Sequence, residues 1–464
     1  MSISQKVVFD RDLIDRYNRS GPRYTSYPTA PHFHGGFGPE QFRAAAEASN
    51  ASGNPLSLYL HIPFCDTVCY YCACNRVVTP DRRRAEAYLG YLVREVERVG
   101  RLFQRSRVVR QLHFGGGTPT YLDGDQLETL MAHLARQFTL LDRSQGEYSI
   151  EVDPREVPTG TIQRLARLGF NRISFGVQDL EPSVQKAVNR LQPQSLNRRV
   201  VDEARQSGFV SINIDLMYGL PHQTVASFQR TLDQVIAELN PDRLAVFNYA
   251  HLPQYFMPQR RINEKDLPSP DDKLAILEMA VNRLTDAGYV FIGMDHFAKP
   301  QDEMAVAQRE GTLHRNFQGY TTRAECDLVS MGATAISQVG RTYAQNLKDL
   351  TDYYARLDQG ELTIFRGMQL SDDDWIRREV IMRLMCDFQL DGTALGRRLG
   401  IDFMSYFAAE WADLSRMAGE GLLTLSGSTL RVSDAGRLLI RNIAMVFDWY
   451  LRNAEQTKTF SRTI

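Results

Sequence analysis

"LHIPFCDTVCYYCACN", residues 60–75, places Cys65, Cys69, Cys72 and Cys74 within ten positions, while the rest of the 464-residue chain holds only Cys326 and Cys386. The stretch starts inside an apolar, β-rich run, "LSLYLHI" (56–62), so the cysteines open the loop after a strand. Five more such runs follow: "RVVRQLHF" (107–114), "EYSIEV" (147–152), "NRISFGV" (171–177), "VSINIDLMY" (210–218) and "RLAVFNYA" (243–250). Between the first two, Tyr88, Leu92, Val96 and Val99 recur at helical spacing. "GDQLETLMAHLARQF", "PTGTIQRLARLG", "LNRRVVDEARQSG" and "TVASFQRTLDQVIAEL" supply helices for the later gaps, several closed by glycine. Six strand–helix units predict an α/β fold with a parallel sheet and right-handed crossovers. The expected architecture is a complete or partial TIM-type barrel, with an open doubly wound sheet as the alternative.

The suggestive residues all fall at strand C-terminal ends. The cysteines follow the first strand and "GGGTPT" (115–120) the second. Glu151 and Asp153 end the third, Gln178 the fourth, Asp215 with "YGLP" the fifth and "NYAH" the sixth. That is the face on which barrel enzymes build their sites. A polar strand end is often only a turn signal, but six in succession argue for one shared site.

Composition narrows the class. With 43 % hydrophobic residues the chain can bury a large core, and 54 basic against 55 acidic residues set up no global field toward nucleic acid or membrane. No apolar run reaches membrane-spanning length and "MSISQKVVFDRD" lacks a signal-peptide core, so a cytoplasmic location is expected. In such a reducing compartment, clustered cysteines point to metal or redox chemistry over disulfides.

From about residue 370 the pattern changes to "SDDDWIRREVIMRLMCDF" as a helix, shorter helical stretches, "GLLTLSGSTLRVSDAG" as a hairpin and "RLLIRNIAMVFDWYLRNA" as a final helix. This predicts a mostly helical, winged-helix-like domain. Its 12 basic and 13 acidic residues form no basic stripe, so a lid or packing role is expected over DNA binding. The expected division is an N-terminal arm and lead-in (1–50), a barrel with extension (51–368) and a C-terminal domain (369–464).

Three readings of the cysteines compete. Structural zinc wants four ligands, usually as two separated pairs, and here there is one compact cluster. "CYYC" has thioredoxin spacing, but the flanking cysteines and the barrel pattern do not suit that fold. An iron–sulfur cluster takes thiolates, and C-x3-C-x2-C (Cys65, Cys69, Cys72) would leave one iron of a cubane open to a ligand.

This last spacing, after the first barrel strand, resembles the radical S-adenosylmethionine (SAM) superfamily. "GGGTPT" resembles its glycine-rich segment along the methionyl end of SAM, where bare backbone can approach a ligand closely. "GPRYTSYPT", "YLHIPFC", "LHFGGGTPTYL", "IEVDPRE", "SFGVQD", "NIDLMYGLP", "VFNYAHLP", "GMDHFA" and "LHRNFQGYTT" together resemble the oxygen-independent coproporphyrinogen III oxidase (dehydrogenase) family of bacterial haem synthesis. The resemblance implies a partial (β/α)6 barrel, a 4Fe–4S cluster on Cys65, Cys69 and Cys72, and two molecules of SAM. It implies coproporphyrinogen III as substrate, a one-electron donor such as flavodoxin or ferredoxin, a further electron acceptor and a monomer. The alternatives are a radical SAM haem chaperone or methyltransferase paralogue and, outside enzymes, a zinc-stabilised regulator.

Carried over by position, the resemblance assigns Tyr59, Gly116, Glu151, Ala250 and Ile336 to the SAM on the cluster. It assigns Tyr71, Gly117, Thr118, Gln178, Arg190 and Asp215 to the second. Glu151 and Asp215 suit an ammonium or ribose hydroxyls, and Arg190 suits a carboxylate clamp. Residue type alone would make Ala250 and Ile336 core packing. Tyr71, between two cluster ligands, can cover the cubane or stack on adenine. A fourth thiolate would fill the iron that SAM needs, so Cys74 is expected to act separately, in second-SAM positioning or electron exit, and with Tyr71 makes the catalytic pair. The bland reading of Cys74 is a buried small residue. Arg23 and Arg315, each among aromatics, are the candidates for substrate propionates.

Overall fold

In the computed structural model, which describes residues 6–453, the chain divides into two compact units. One contains residues 33–269 and 325–369; the other contains, of the described residues, 6–32, 270–324 and 370–453. Both are discontinuous in sequence.

The barrel unit is built on strands β1 (Leu56–Ile62), β2 (Val108–Gly116), β3 (Glu147–Val152), β4 (Arg172–Gln178), β5 (Ser211–Tyr218) and β6 (Arg243–Asn248). They lie side by side in the order β6-β5-β4-β3-β2-β1, every pair parallel. Beyond β1 come β7 (Asp327–Met331), parallel to it, and then β8 (Ile336–Val339), β9 (Thr342–Asn346) and β10 (Ile364–Gln369), all antiparallel. A parallel sheet extended by an antiparallel edge is the expected partial barrel.

The helices form where the apolar period put them. Helix α1 (Arg83–Gly100) buries Ala85, Tyr88, Leu89, Leu92, Val96 and Val99, one stripe at i, i+3 and i+4. Helix α2 (Gly124–Gln137) starts at Asp123, whose carboxylate accepts from Gln126 N in a capping box. The stretch expected as a single helix to Leu239 is α-helical only over Val225–Gln234. It continues as a π turn, Val235–Leu239, closed by Asn240 in the left-handed region (φ 44°).

At the N-terminal ends of the strands, Arg107 (buried) donates to Asn54 O (2.6 Å), Ser49 Oγ (3.1 Å) and Asp327. In the barrel's side wall, the buried Glu95 of α1 accepts from Gly332 N and the side chains of Asn346, Tyr353 and Thr363, all within 2.7 Å. Burial raises its pKa, and these four donors oppose the shift. Such satisfied networks fix the frame.

The other unit contains helix Asp372–Asp387, capped by Ser371, and a three-stranded sheet of Gln389–Asp391, Thr429–Val432 and Leu423–Ser426. Helices Gly392–Leu399 and Ala408–Gly419 complete the winged-helix-like arrangement. The expected final helix over 437–454 is instead broken into Ile440–Ala444, a 3-10 turn Met445–Phe447, and Trp449–Arg452; Ala454 lies outside the described residues. Asp448 makes the break: its extended backbone starts the last turn, and its carboxylate accepts from Leu451 N (3.1 Å) and Tyr24 Oη (2.9 Å). Among the described residues, no helix is long and apolar enough to cross a membrane.

Candidate active site at the strand ends

An open cavity of about 170 Å³ lies at the C-terminal ends of β1–β5. It is lined by Cys65, Cys69, Tyr71, Cys72, Cys74, Gly116, Gly117, Thr118, Glu151, Gln178, Arg190 and Asp215, twelve of the residues expected from sequence. Tyr59, Ala250 and Ile336 are not on that lining. Tyr59 is largely buried on β1, stacked on His113 at 5.7 Å, with its hydroxyl 3.0 Å from His61 Nδ1. Ala250 is exposed, two residues past the end of β6, and Ile336 is half-buried, so neither is the core residue its type suggested.

The cysteine loop is held by side chains that donate to its backbone carbonyls. Arg76 donates to the carbonyls of Cys72 and Cys74 (both 3.2 Å) and of Cys69 (3.4 Å). Asn189 Nδ2 holds Val68 O at 2.8 Å, and Gln259 Nε2 holds Tyr71 O at 3.0 Å. Tyr71 and Cys69 pack with Val184, Val188, Leu220, Tyr249 and Ile262. Cys65 accepts from Thr118 Oγ1 at 3.5 Å, and burial pushes its thiol up to about 12. A hydrogen bond from the exposed Cys74 instead pulls Cys72 down to about 6.

Close approach of β1 to β2 depends on two glycines. Gly117 N donates to Ile62 O (2.8 Å) and Thr118 N to Phe64 O (2.7 Å). A Cβ on Gly117 would meet Phe64 O at 2.7 Å and Pro63 C at 2.8 Å. Gly116 has φ 118°, and a Cβ there would meet the His61 ring at 2.6 Å.

Glu151 receives His113 Nε2 at 3.1 Å and Gly116 N at 3.2 Å. Burial would raise its pKa, but the hydrogen bond and charge of His113 and the Gly116 N–H outweigh it, so the carboxyl sits below its usual range. Asp215 behaves oppositely. Burial and the Glu151 charge push it up to about 7, although Asn213 Nδ2 (2.7 Å) and Ser174 Oγ (3.3 Å) donate to it. Two acids on one cavity wall therefore differ in protonation at neutral pH.

Arg190 is not free to clamp a ligand with its fork. Nη1 binds Asp153 Oδ2 (2.9 Å) and lies 3.4 Å from Cys69 Sγ, and Nη2 binds Gly176 O, which leaves a buried Nε without a partner among the described residues. Asp153 also accepts from Arg155 (2.6 Å), whose Nη2 is 3.3 Å from Cys69 Sγ. Sequence reasoning missed Arg76, His113, Arg155 and the Asp153 bridge; "IEVDPRE" carried the signal for the last two. Gln178 has φ 69°, rare for a residue with a side chain, and a buried Oε1 with no partner among the described residues.

The donor set fits an iron–sulfur cluster with SAM. Three soft sulfurs face one cavity without converging on a single ion, and among the described residues no His, Cys, Asp and Glu group would hold one metal ion. Ligands of a cubane each hold a different iron. Gln178 and Arg190 line the cavity, and Gln178 Oε1 and Arg190 Nε are buried with no partner among the described residues. A barrel with this strand-end site defines the class of radical SAM proteins.

Comparison with known proteins agrees. Residues 59–235 match the radical SAM superfamily and residues 370–439 the HemN C-terminal domain. The chain is 55 % identical to the oxygen-independent coproporphyrinogen III oxidase of Pseudomonas aeruginosa and 50 % identical to that of Escherichia coli, over 99 % of each chain in both cases. A solved structure, described as coproporphyrinogen III oxidase (HemN) from Escherichia coli, a radical SAM enzyme, superposes with a TM-score of 0.92 at 49 % identity. That match covers 96 % of this chain and 100 % of the other. The chain belongs to the oxygen-independent coproporphyrinogen III oxidase family.

Proposed function

We propose that this chain converts two propionates of coproporphyrinogen III to vinyl groups without oxygen, giving protoporphyrinogen IX for haem synthesis. The observation that carries the reading is full-length similarity to oxidases of that name, with the cysteine loop, glycine turn and carboxylates on one cavity. Each propionate gives up one hydrogen atom, carbon dioxide and one electron. A 4Fe–4S cluster held by Cys65, Cys69 and Cys72, together with SAM, supplies hydrogen-atom abstraction from an unactivated C–H bond.

The chain's residues orient and shield that chemistry. Ionised Glu151, with the Gly116 backbone, Tyr59, Ala250 and Ile336, serves the SAM on the cluster; its carboxylate is an acceptor for an ammonium. Tyr71, Gly117, Thr118, Gln178, Arg190 and Asp215 serve a second SAM. Arg190 would contribute a single hydrogen bond from Nε, not a bidentate clamp, and Gln178 Oε1 one acceptor. Asp215, with a pKa near neutrality, can donate as well as accept toward a hydroxyl. Cys74, exposed on the cavity rim and outside the three-ligand set, is assigned with Tyr71 to the turnover step. Electrons enter from a flavodoxin- or ferredoxin-like donor and the last leaves to a further acceptor, with the protein acting as a monomer. Arg23 and Arg315 are assigned to substrate propionates.

Anaerobically purified protein with coproporphyrinogen III, SAM and a low-potential reductant is expected to release carbon dioxide, and Cys69→Ser to release none. No release from wild-type protein carrying a full complement of iron would reject the function.

A further inference from the structure

Arg23 and Arg315 look alike in sequence, but the structure separates them. Both lie in the second compact unit described above, where the Arg23 side chain is 40 % exposed and paired with Asp295. Arg315 is only 3 % exposed. It sits on strand His314–Asn316 with its guanidinium 4.7 Å from the centre of the Tyr320 ring across the hairpin. Its Nε and Nη1 are buried and have no hydrogen-bond partner among the described residues.

Nearby acids are committed elsewhere. Asp295 is taken by Arg23, Glu379 by Arg378 (3.1 Å) and Arg398 (2.7 Å), and Asp387, through Oδ2 alone, by Arg383 (2.9 Å). A further buried cation lies close by. Buried Arg441 donates to Pro22 O (2.9 Å) and Gly21 O and interacts with the charges of Arg23, Asp295 and Arg315. Burial and the Arg23 charge pull it down to about 10, which leaves it ionised at neutral pH. Among the described residues Arg315 makes no ion pair, so its own buried charge is met by no carboxylate. Leaving guanidinium N–H groups buried and unmade is costly, and an anion would meet the need.

We infer that Arg315, flanked by Arg441 and Arg23, is a carboxylate-binding site that takes one propionate of the tetrapyrrole substrate. The identity of the carboxylate rests on the proposed function; the anion site itself rests on the unmade N–H groups of Arg315 and on its lack of an ion pair among the described residues. Arg23, held by Asp295, contributes field more than contact, and Arg315 makes the hydrogen bonds.

The test uses full-length protein and two probes: coproporphyrin III, the oxidised tetracarboxylic acid, and its tetramethyl ester. Arg315→Met is expected to weaken acid binding by about tenfold or more and to leave ester binding unchanged. The KM for coproporphyrinogen III should rise in parallel, with iron content and SAM affinity unaltered. Because the variant removes a buried charge that has no carboxylate partner, Tm of the ligand-free protein should stay level or rise. A structural arginine would lower it. Arg315→Lys, which keeps the charge but loses the fork, should bind the acid with intermediate affinity. Unchanged acid affinity in Arg315→Met, a fall in its Tm, or equal loss of acid and ester overturns the site. Carbon dioxide release by wild type separately judges the substrate reading.

Discussion

Gly117→Ala tests whether the approach of β2 to the cysteine loop is set by the missing side chain. The added Cβ would lie 2.7 Å from Phe64 O and 2.8 Å from Pro63 C, both backbone atoms that cannot rotate away. Restoring ordinary contact near 3.4 Å requires a shift of about 0.7 Å in the segment that leads directly to Cys65. Overpacking of this kind costs about 1–3 kcal/mol, which in a unit of this size lowers Tm by roughly 2–6 °C. The site should suffer more than the fold. Gly117 N–Ile62 O and Thr118 N–Phe64 O hold the two strand ends together, so the same shift moves Thr118 and Cys65 apart. A misplacement near 1 Å can cost about 100-fold in turnover. Scanning calorimetry, SAM titration and turnover on one anaerobic preparation measure all three. Wild-type SAM affinity and turnover would refute the steric argument.

Other outcomes follow from the same geometry. Asp153→Ala strands Arg155 and Arg190 without their shared carboxylate, with side-chain exposures of 15 % and 6 %, and should cost about 3–5 kcal/mol in denaturant unfolding. Asp215 has a folded pKa of about 7 against an ordinary 3.8, so the folded state binds its proton more tightly and loses stability as pH rises from about 4 to 7. Asp215→Asn should therefore stabilise the protein more at about pH 8 than at about pH 5, and equal gains would contradict the shift. Cys65→Ser, Cys69→Ser and Cys72→Ser should each lose the cluster, since a hydroxyl is a poor ligand for a soft site. Cys74→Ser should keep four irons and a SAM-responsive spectrum but lose most decarboxylation; iron loss would make Cys74 a ligand.

The strand ends were legible because the apolar period and the polar residue that breaks it are both local. β1 and β3 span the residues expected, β4 and β5 begin one residue late, and β6 stops at Asn248, which leaves Ala250 in the exposed segment beyond it. What the sequence hid were facts of three-dimensional pairing. That Arg190 spends its fork on Asp153 and Gly176 O depends on partners 37 and 14 residues away. The left-handed Gln178 reads as an ordinary strand residue until its φ is seen. The split of the chain into two discontinuous units depends on residues 270–324 grouping with both termini, which no linear boundary signal records. The partner of Asp448 is likewise hidden, since Tyr24, more than 400 positions away, donates to its carboxylate.

The central claim is that the three-cysteine site serves decarboxylation of a tetrapyrrole. Mass analysis of the tetrapyrrole after anaerobic turnover, with carbon dioxide and 5′-deoxyadenosine counted in the same vessel, tests it most directly. Protoporphyrinogen IX, with about two carbon dioxide molecules released for each one formed, is the predicted result. Intact coproporphyrinogen III, or a methylated tetrapyrrole with no carbon dioxide, from protein whose cluster cleaves SAM would contradict it.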